Sequence, residues 1–215
     1  MKKTDLTLYL VTDSTDKTDA DFLDIVKQAL EGGVTLVQLR EKNRSGLEYF
    51  NLAKKVKQIT DRYEVPLIID DRVDIAMAAD AAGVHVGQSD LPVYAARRLL
   101  GENKIVGATA KTVEQAKRAK EEGADYLGVG AIYPTTTKVV TVITEVSMLN
   151  EIVKQTNMPV VAIGGLNASN MHVLYDSEAC GIAVVTAIMQ STAPRDTAES
   201  LKRQVLDNFK KKRMA

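Results

Sequence analysis

Short apolar runs alternate with longer amphipathic stretches eight times along this chain, and that rhythm limits the folds open to it. The runs are Leu6–Val11, Val34–Leu39, Leu67–Ile69, Val84–Val86, Ile105–Ala108, Tyr126–Val129, Val160–Ile163 and Gly181–Val185. Each is short and rich in aliphatic residues, as buried strands are. Between them apolar positions recur at helical spacing. In Asp19–Glu31 these are Phe22, Leu23, Ile25, Val26, Ala29 and Leu30, and Gly32-Gly33 closes the stretch. Further helices are expected at Gly46–Tyr63, Asp71–Ala82, from about Pro92, and at Thr112–Glu122, Val146–Gln155, Ala168–Tyr175 and Arg195–Lys211. Repeated β–α units predict a parallel sheet. Eight of them in 215 residues favour closure into an α/β, single-domain (β/α)8 TIM barrel over residues 1–215. The alternative is a doubly wound open sheet, but no Gly-x-Gly-x-x-Gly turn follows the first run.

Charge and cysteine usage remove several function classes. There are 28 basic and 28 acidic side chains, a formal net charge of zero. A nucleic-acid binder carries a basic excess, so no nucleic-acid partner is expected and any anion site must be a local arrangement. No apolar stretch of about 18 residues is present, so no membrane span is expected. Leu6–Val11 is too short for a signal-peptide core. The single cysteine, Cys180, cannot close an internal disulfide, which favours a reducing, cytoplasmic setting. His85 and His172 stand alone, so a Cys/His zinc site is not expected.

A parallel barrel builds its active site at the C-terminal ends of its strands. Polar residues stand there on nearly every unit: Thr12-Asp13, Gln38 to Lys42, Asp70-Asp71-Arg72, Gly87 to Asp90, Thr109, Pro134 to Lys138, Gly164-Gly165 and Val185-Thr186. Period-two alternation puts Gln38, Arg40 and Lys42 on one side if the second strand extends that far. Two cations at a barrel mouth need anionic company, either a phosphate or, for Arg40, an internal partner such as Glu41 or a neighbouring acid. Asp71 and Asp90 follow consecutive strands and can lie side by side. Facing carboxylates repel unless a cation lies between them, and Mg²⁺ is often held by one or two carboxylates plus substrate phosphates. Asp71 could equally be an acid at a helix start, and Asp90 a helix cap. Gly164-Gly165 lets backbone N–H groups approach a ligand, and a helix starting at Ala168 would add a favourable dipole. Thr135, Thr136, Thr137 and Lys138 are good phosphate partners, or plain turn residues. His85 reads as a satisfied structural histidine, and Tyr9 as a packing or mouth residue.

With these positions in hand, the chain resembles the thiamine phosphate synthase family over nearly its whole length. The motifs are Leu8 to Asp13, Gln38 to Lys42, Asp71 to Ala76, His85 to Pro92, Gly130 to Lys138 and Ala162 to Gly165. The resemblance implies coupling of 4-amino-2-methyl-5-hydroxymethylpyrimidine diphosphate to 4-methyl-5-(2-hydroxyethyl)thiazole phosphate, with release of diphosphate. By position it implies that Gln38, Arg40, Lys42 and Asp70 line the pyrimidine diphosphate site. Asp71 and Asp90 would hold Mg²⁺. Thr109 would stand near the diphosphate. Thr135, Thr136, Thr137, Gly165, Val185 and Thr186 would bind the thiazole phosphate. Lys138 would reach the leaving diphosphate, with Arg40 and Thr109 as its catalytic partners. A homo-oligomer is a further possibility from the family.

Three positions depart from the family pattern. Asp70 stands where an Asn is frequent, Thr109 where many members have Ser, and Val139-Val140 where a Lys and an acid commonly follow. Two other readings are a thiazole tautomerase, which would not need Mg²⁺, and a non-catalytic barrel that binds thiamine-pathway phosphates.

Overall fold

The computed structural model describes residues 4–135 and 143–209. Eight parallel strands pair in chain order and the last returns to the first, closing a barrel. They are β1 (Leu8–Val11), β2 (Leu36–Leu39), β3 (Leu67–Asp70), β4 (Gly83–Val86), β5 (Ile105–Ala110), β6 (Tyr126–Gly130), β7 (Val160–Ile163) and β8 (Gly181–Val184). The helices are α1 (Asp19–Glu31), α2 (Gly46–Arg62), α3 (Val73–Ala78), α4 (Val93–Leu100), α5 (Val113–Glu121), α6 (Val146–Thr156), α7 (Thr186–Met189) and α8 (Pro194–Phe209). The expected barrel is therefore the observed one, and the open sheet is excluded by the β1–β8 pairing.

Strand alternation divides the apolar residues into two layers. Leu8, Leu10, Val37, Leu39, Leu67, Ile69, Val84 and Val106 point outward and pack with the helices in one continuous core. Tyr9, Val11, Leu36, Ile68, Tyr126, Val161 and Ala183 point inward and fill the barrel. The inward series decides what reaches the mouth. Two residues beyond Leu36 is Gln38, and two beyond Ile68 is Asp70. Two beyond Gly107 is Thr109, so each of these three strands delivers a polar side chain at its upper end.

Local chemistry starts and stops the helices. Thr18 caps α1 by accepting from Asp21 N at 3.1 Å. Ser45 opens α2 with a full capping box: Ser45 Oγ accepts from Glu48 N, and Glu48 accepts from Ser45 N at 2.8 Å. Pro92 occupies the N-cap of α4, where its missing N–H costs nothing.

Three expectations need correction. The stretch Asp71–Ala82 forms a helix only over Val73–Ala78. The helix expected from Ala168 is a single 3-10 turn, Met171–Leu174. Asn167 Oδ1 accepts from the Ser169 backbone and hydroxyl, and Asn170 Oδ1 accepts from Asn167 N. Such side-chain bonds compete with the helical ladder. The short helix α7 was not foreseen, because four residues display no periodicity.

Candidate active site

Eleven of the fourteen residues named from the sequence line one cavity of about 730 Å³ at the C-terminal ends of the strands. They are Gln38, Arg40, Lys42, Asp70, Asp71, Asp90, Thr109, Thr135, Gly165, Val185 and Thr186. Thr136, Thr137 and Lys138, together with Val139 and Val140, lie outside the described residues. A second cavity, about 710 Å³, opens at the opposite end of the barrel between the chain near Leu6, Pro159 and Cys180.

The acidic side of the mouth is built by two adjoining turns. Asp71 adopts a left-handed backbone at φ 60°, a conformation that costs non-glycine residues energy and is common at functional sites. Its N–H donates to His85 O at 2.9 Å, tying the end of β3 to β4. Asp90 Oδ2 accepts from Gly87 N at 2.8 Å. The two carboxyls are close enough to share a hydrogen bond. Burial pushes Asp71 up, but its bonds to Lys42 and Asp90 outweigh this and its value is lowered. Burial and the neighbouring Asp71 raise Asp90. The two values are therefore driven apart, Asp71 downward and Asp90 upward.

The basic side comes from β2 and its extension. β2 ends at Leu39, yet Arg40 and Lys42 keep the side predicted for them, because Thr12 holds the chain in register. Thr12 N donates to Gln38 O at 2.9 Å, and Arg40 N donates to Thr12 Oγ1 at 3.2 Å. Lys42 Nζ donates to Asp71 Oδ2 and stands 3.0 Å from Asp70 Oδ2. Arg40 Nε lies 3.8 Å from the same Asp70 oxygen. Of the two internal partners considered from sequence, Arg40 takes the neighbouring acid, Asp70, and not Glu41. Glu41 turns away and accepts from Ser14 and Arg44 at 2.8 and 3.2 Å. Burial would lower Lys42, but its two carboxylate partners outweigh this and raise it, so it stays charged. Asp70 is pushed up to about 6, by burial first and by Asp71 second.

The opposite wall is backbone-rich. Gly165 has φ 66°, and a Cβ there would come within 2.7 Å of Tyr133 Cβ. Glycine is thus required both by conformation and by close approach. Asn170 Nδ2 donates to Gly165 O at 2.8 Å and fixes the loop. Thr135, Val185 and Thr186 border the same part of the cavity, with Thr186 the first residue of α7. Loops after the seventh and eighth strands with a short extra helix are a frequent phosphate site in barrels.

Two groups escaped the sequence reading. Lys111 also lines the cavity; it lies two residues past Thr109, so alternation could have found it. Tyr9, His85 and Tyr126 are not mere packing. Gln38 Nε2 donates to Tyr9 Oη at 2.6 Å, and Tyr9 Oη and Tyr126 Oη lie 2.8 Å apart. His85 Nδ1 is 3.1 Å from Tyr126 Oη, and its Nε2 is 3.0 Å from Thr109 Oγ1. Burial raises both phenols, so both keep their protons.

Among the described residues no group of three or more His, Cys, Asp or Glu side chains is arranged to cage a metal ion. The Asp71–Asp90 pair nevertheless fits Mg²⁺, which takes few protein carboxylates and completes its shell with phosphate oxygens and water. Lys42, an ammonium set against Asp71, shows that this corner accommodates a cation.

Fold and site together define a (β/α)8-barrel enzyme for phosphorylated ligands. The family model for thiamine monophosphate synthase matches residues 8–188, and the chain belongs to that family. The thiamine-phosphate synthase of Methanobrevibacter smithii is 50% identical over 212 residues, covering 99% of each chain. That of Clostridium tetani is 48% identical over 200 residues, covering 93% of this chain and 96% of the other. The solved thiamine phosphate pyrophosphorylase of Pyrococcus furiosus superposes with a TM-score of 0.87 at 36% identity, covering 96% of this chain and 98% of its own. A 3-hexulose-6-phosphate synthase, 15% identical with a TM-score of 0.69, shares the fold alone.

Proposed function

We infer that this chain joins 4-amino-2-methyl-5-hydroxymethylpyrimidine diphosphate to 4-methyl-5-(2-hydroxyethyl)thiazole phosphate, releasing diphosphate and leaving thiamine phosphate. The observation that carries the reading is the convergence of Arg40 and Lys42 with the Asp71–Asp90 pair in one cavity, opposite the Gly165 wall.

The reaction needs little acid–base machinery. The bond from the pyrimidine methylene carbon to the diphosphate oxygen breaks, and its electron pair leaves with the diphosphate. The thiazole nitrogen lone pair then forms the new C–N bond, with no net proton transfer. Catalysis therefore rests on neutralising the leaving group and on holding the two partners in line. Arg40 and Lys42 take the diphosphate oxygens, and Lys42 exchanges its contacts with Asp70 and Asp71 for them. Lys138 reaches the leaving diphosphate from the loop after β6, and Thr109 orients it. Gln38 and Asp70 border the pyrimidine. Gly165, Thr135, Thr136, Thr137, Val185 and Thr186 hold the thiazole phosphate. Mg²⁺, held by Asp71 and Asp90, would supply further neutralisation of the leaving charge. No helix among the described residues is long and apolar enough to cross a membrane. We place the enzyme in the cytoplasm, acting on small molecules, as a possible homo-oligomer.

The test is a coupling assay with both substrates, run with and without Mg²⁺. Turnover should require all three components. Asp71→Ala should lower it by about 10²-fold or more, several kcal/mol of transition-state stabilisation. Metal-independent turnover, or wild-type rates in Asp71→Ala, would refute the assignment.

A further inference from the structure

We propose that Tyr9, Tyr126 and His85 form a one-way hydrogen-bond chain that sets the opposite ends of the cavity floor as a matched acceptor and donor. The chain joins five strands: Gln38 on β2, Tyr9 on β1, Tyr126 on β6, His85 on β4 and Thr109 on β5. All its members except Thr109 are buried.

With the Gln38 amide nitrogen turned to Tyr9, counting hydrogens fixes the direction. Gln38 Nε2 donates to Tyr9 Oη. The phenol hydrogen of Tyr9 then has Tyr126 Oη as its partner. Were Tyr126 to donate to Tyr9 instead, the Tyr9 hydrogen would be a buried donor without an acceptor among the described residues, and such a group carries its whole desolvation cost. Tyr126 therefore donates onward to His85 Nδ1. The neutral imidazole holds its hydrogen on Nε2 and donates to Thr109 Oγ1.

The consequences fall at the two ends. The Gln38 carboxamide oxygen is left as an acceptor, and the Thr109 hydroxyl, already accepting from His85, turns its own hydrogen to the cavity. An exocyclic amine at the Gln38 end and an acceptor atom at the Thr109 end suit this polarity. An oxo group in place of the amine does not, because it leaves acceptor facing acceptor. Reversing either end requires all five groups to reverse, so Gln38 and Thr109 act as one unit although no bond links them directly.

Packing supports the arrangement. A Cβ at Gly107 would lie 2.2 Å from Tyr126 Cζ, and one at Gly128 would lie 3.3 Å from His85 Cε1. The Tyr126 ring thus occupies space that Gly107 leaves open, and the His85 ring packs tightly over Gly128. Tyr9 and Tyr126 meet edge to face with centroids 5.9 Å apart. Tyr9, Tyr126 and His85 are positioning residues, which act through Gln38 and Thr109.

This inference rests on the reading of the cavity as a pyrimidine site, but its first test does not. The chain has two histidines, so ¹⁵N spectra of the labelled, ligand-free protein resolve two imidazoles. His85 should show an unprotonated Nδ1 and a protonated Nε2. A protonated Nδ1, alone or with Nε2, would overturn the direction. The second test is kinetic. Tyr126→Phe keeps the ring and removes the central hydroxyl. It should raise KM for the pyrimidine diphosphate about 10-fold, as for one hydrogen bond to a buried group, and leave KM for the thiazole phosphate within about 2-fold. In a double-mutant cycle, Gln38→Met and Thr109→Val should couple by about 5-fold or more, and in the Tyr126→Phe background they should add independently. Additive effects in the wild-type background would overturn the coupling. If Tyr126→Phe does not fold, Tyr9→Phe tests the same link. Absence of wild-type turnover would count against the proposed reaction, and the spectrum alone would then judge the chain.

Discussion

Asp70 shows how one side chain can trade stability for position. It is nearly buried, and its carboxyl rises from 3.8 to about 6 because burial and Asp71 outweigh Lys42 and Arg40. The folded protein thus holds a proton that the unfolded chain releases near pH 3.8. That contribution is complete below about pH 4 and is lost as pH rises through 6. Over this window the difference in unfolding free energy between wild type and Asp70→Asn should fall by about 3 kcal/mol. Urea titrations at pH 4 and pH 7 measure it, and a difference that does not change with pH would rule it out. The amide of an Asn avoids the ionisation altogether. Asp71, one residue on, carries the opposite shift because Lys42 and Asp90 hold it. Neighbours in sequence therefore have opposite proton economies, and only their three-dimensional partners distinguish them.

Strands, not helices, decide where the chemistry stands. Gly107 in β5 is the clearest case, since a methyl group there collides with the Tyr126 ring. Gly107→Ala should destabilise the protein by about 1–3 kcal/mol through overpacking and should also raise KM for the pyrimidine diphosphate, read by thermal melts and steady-state assays. Ser45→Ala provides the contrast. It removes one half of the α2 capping box and should cost about 1 kcal/mol with both KM values unchanged. An effect on KM would show that α2 does more than support the wall. Strand alternation also explains what the sequence made legible. Alternation along β2 was enough to place Gln38, Arg40 and Lys42 on one side, while Asp70 was placed by its position at the end of β3. Alternation does not say which residue lies across the barrel, so Tyr9 and His85 read as packing until Tyr126 appeared between them. Lys111 was readable by the same rule and was missed. The Asn167–Asn170 turn escaped because side-chain bonds, not apolar periodicity, shape it.

At the scale of the whole molecule, a closed barrel has no free strand edge, and its mouth is the one place where six strands present side chains to a single ligand. Gln38 is in β2 and Arg40 follows it, Asp71 follows β3, Asp90 follows β4, Thr109 is in β5, Gly165 follows β7 and Val185 follows β8. A diphosphate bound there ties the ring across its open end, so its binding energy adds to the stability of the entire fold and not of one element. At a ligand concentration 100-fold above Kd the gain is about 2.7 kcal/mol. For a chain of this size that corresponds to a rise in Tm of about 5–10 °C. With inorganic diphosphate the rise should depend on Mg²⁺, because Asp71 and Asp90 otherwise face the anion with negative charge. The dependence on Mg²⁺ should vanish in the Asp71→Asn, Asp90→Asn double variant, which neutralises the pair while keeping its shape. Differential scanning fluorimetry with diphosphate alone, Mg²⁺ alone and both together decides the matter. An equal shift without Mg²⁺ in the wild type would mean that Arg40, Lys42 and Lys111 hold the anion unaided, and a Mg²⁺ dependence retained in the double variant would mean that the acidic pair does not hold the metal.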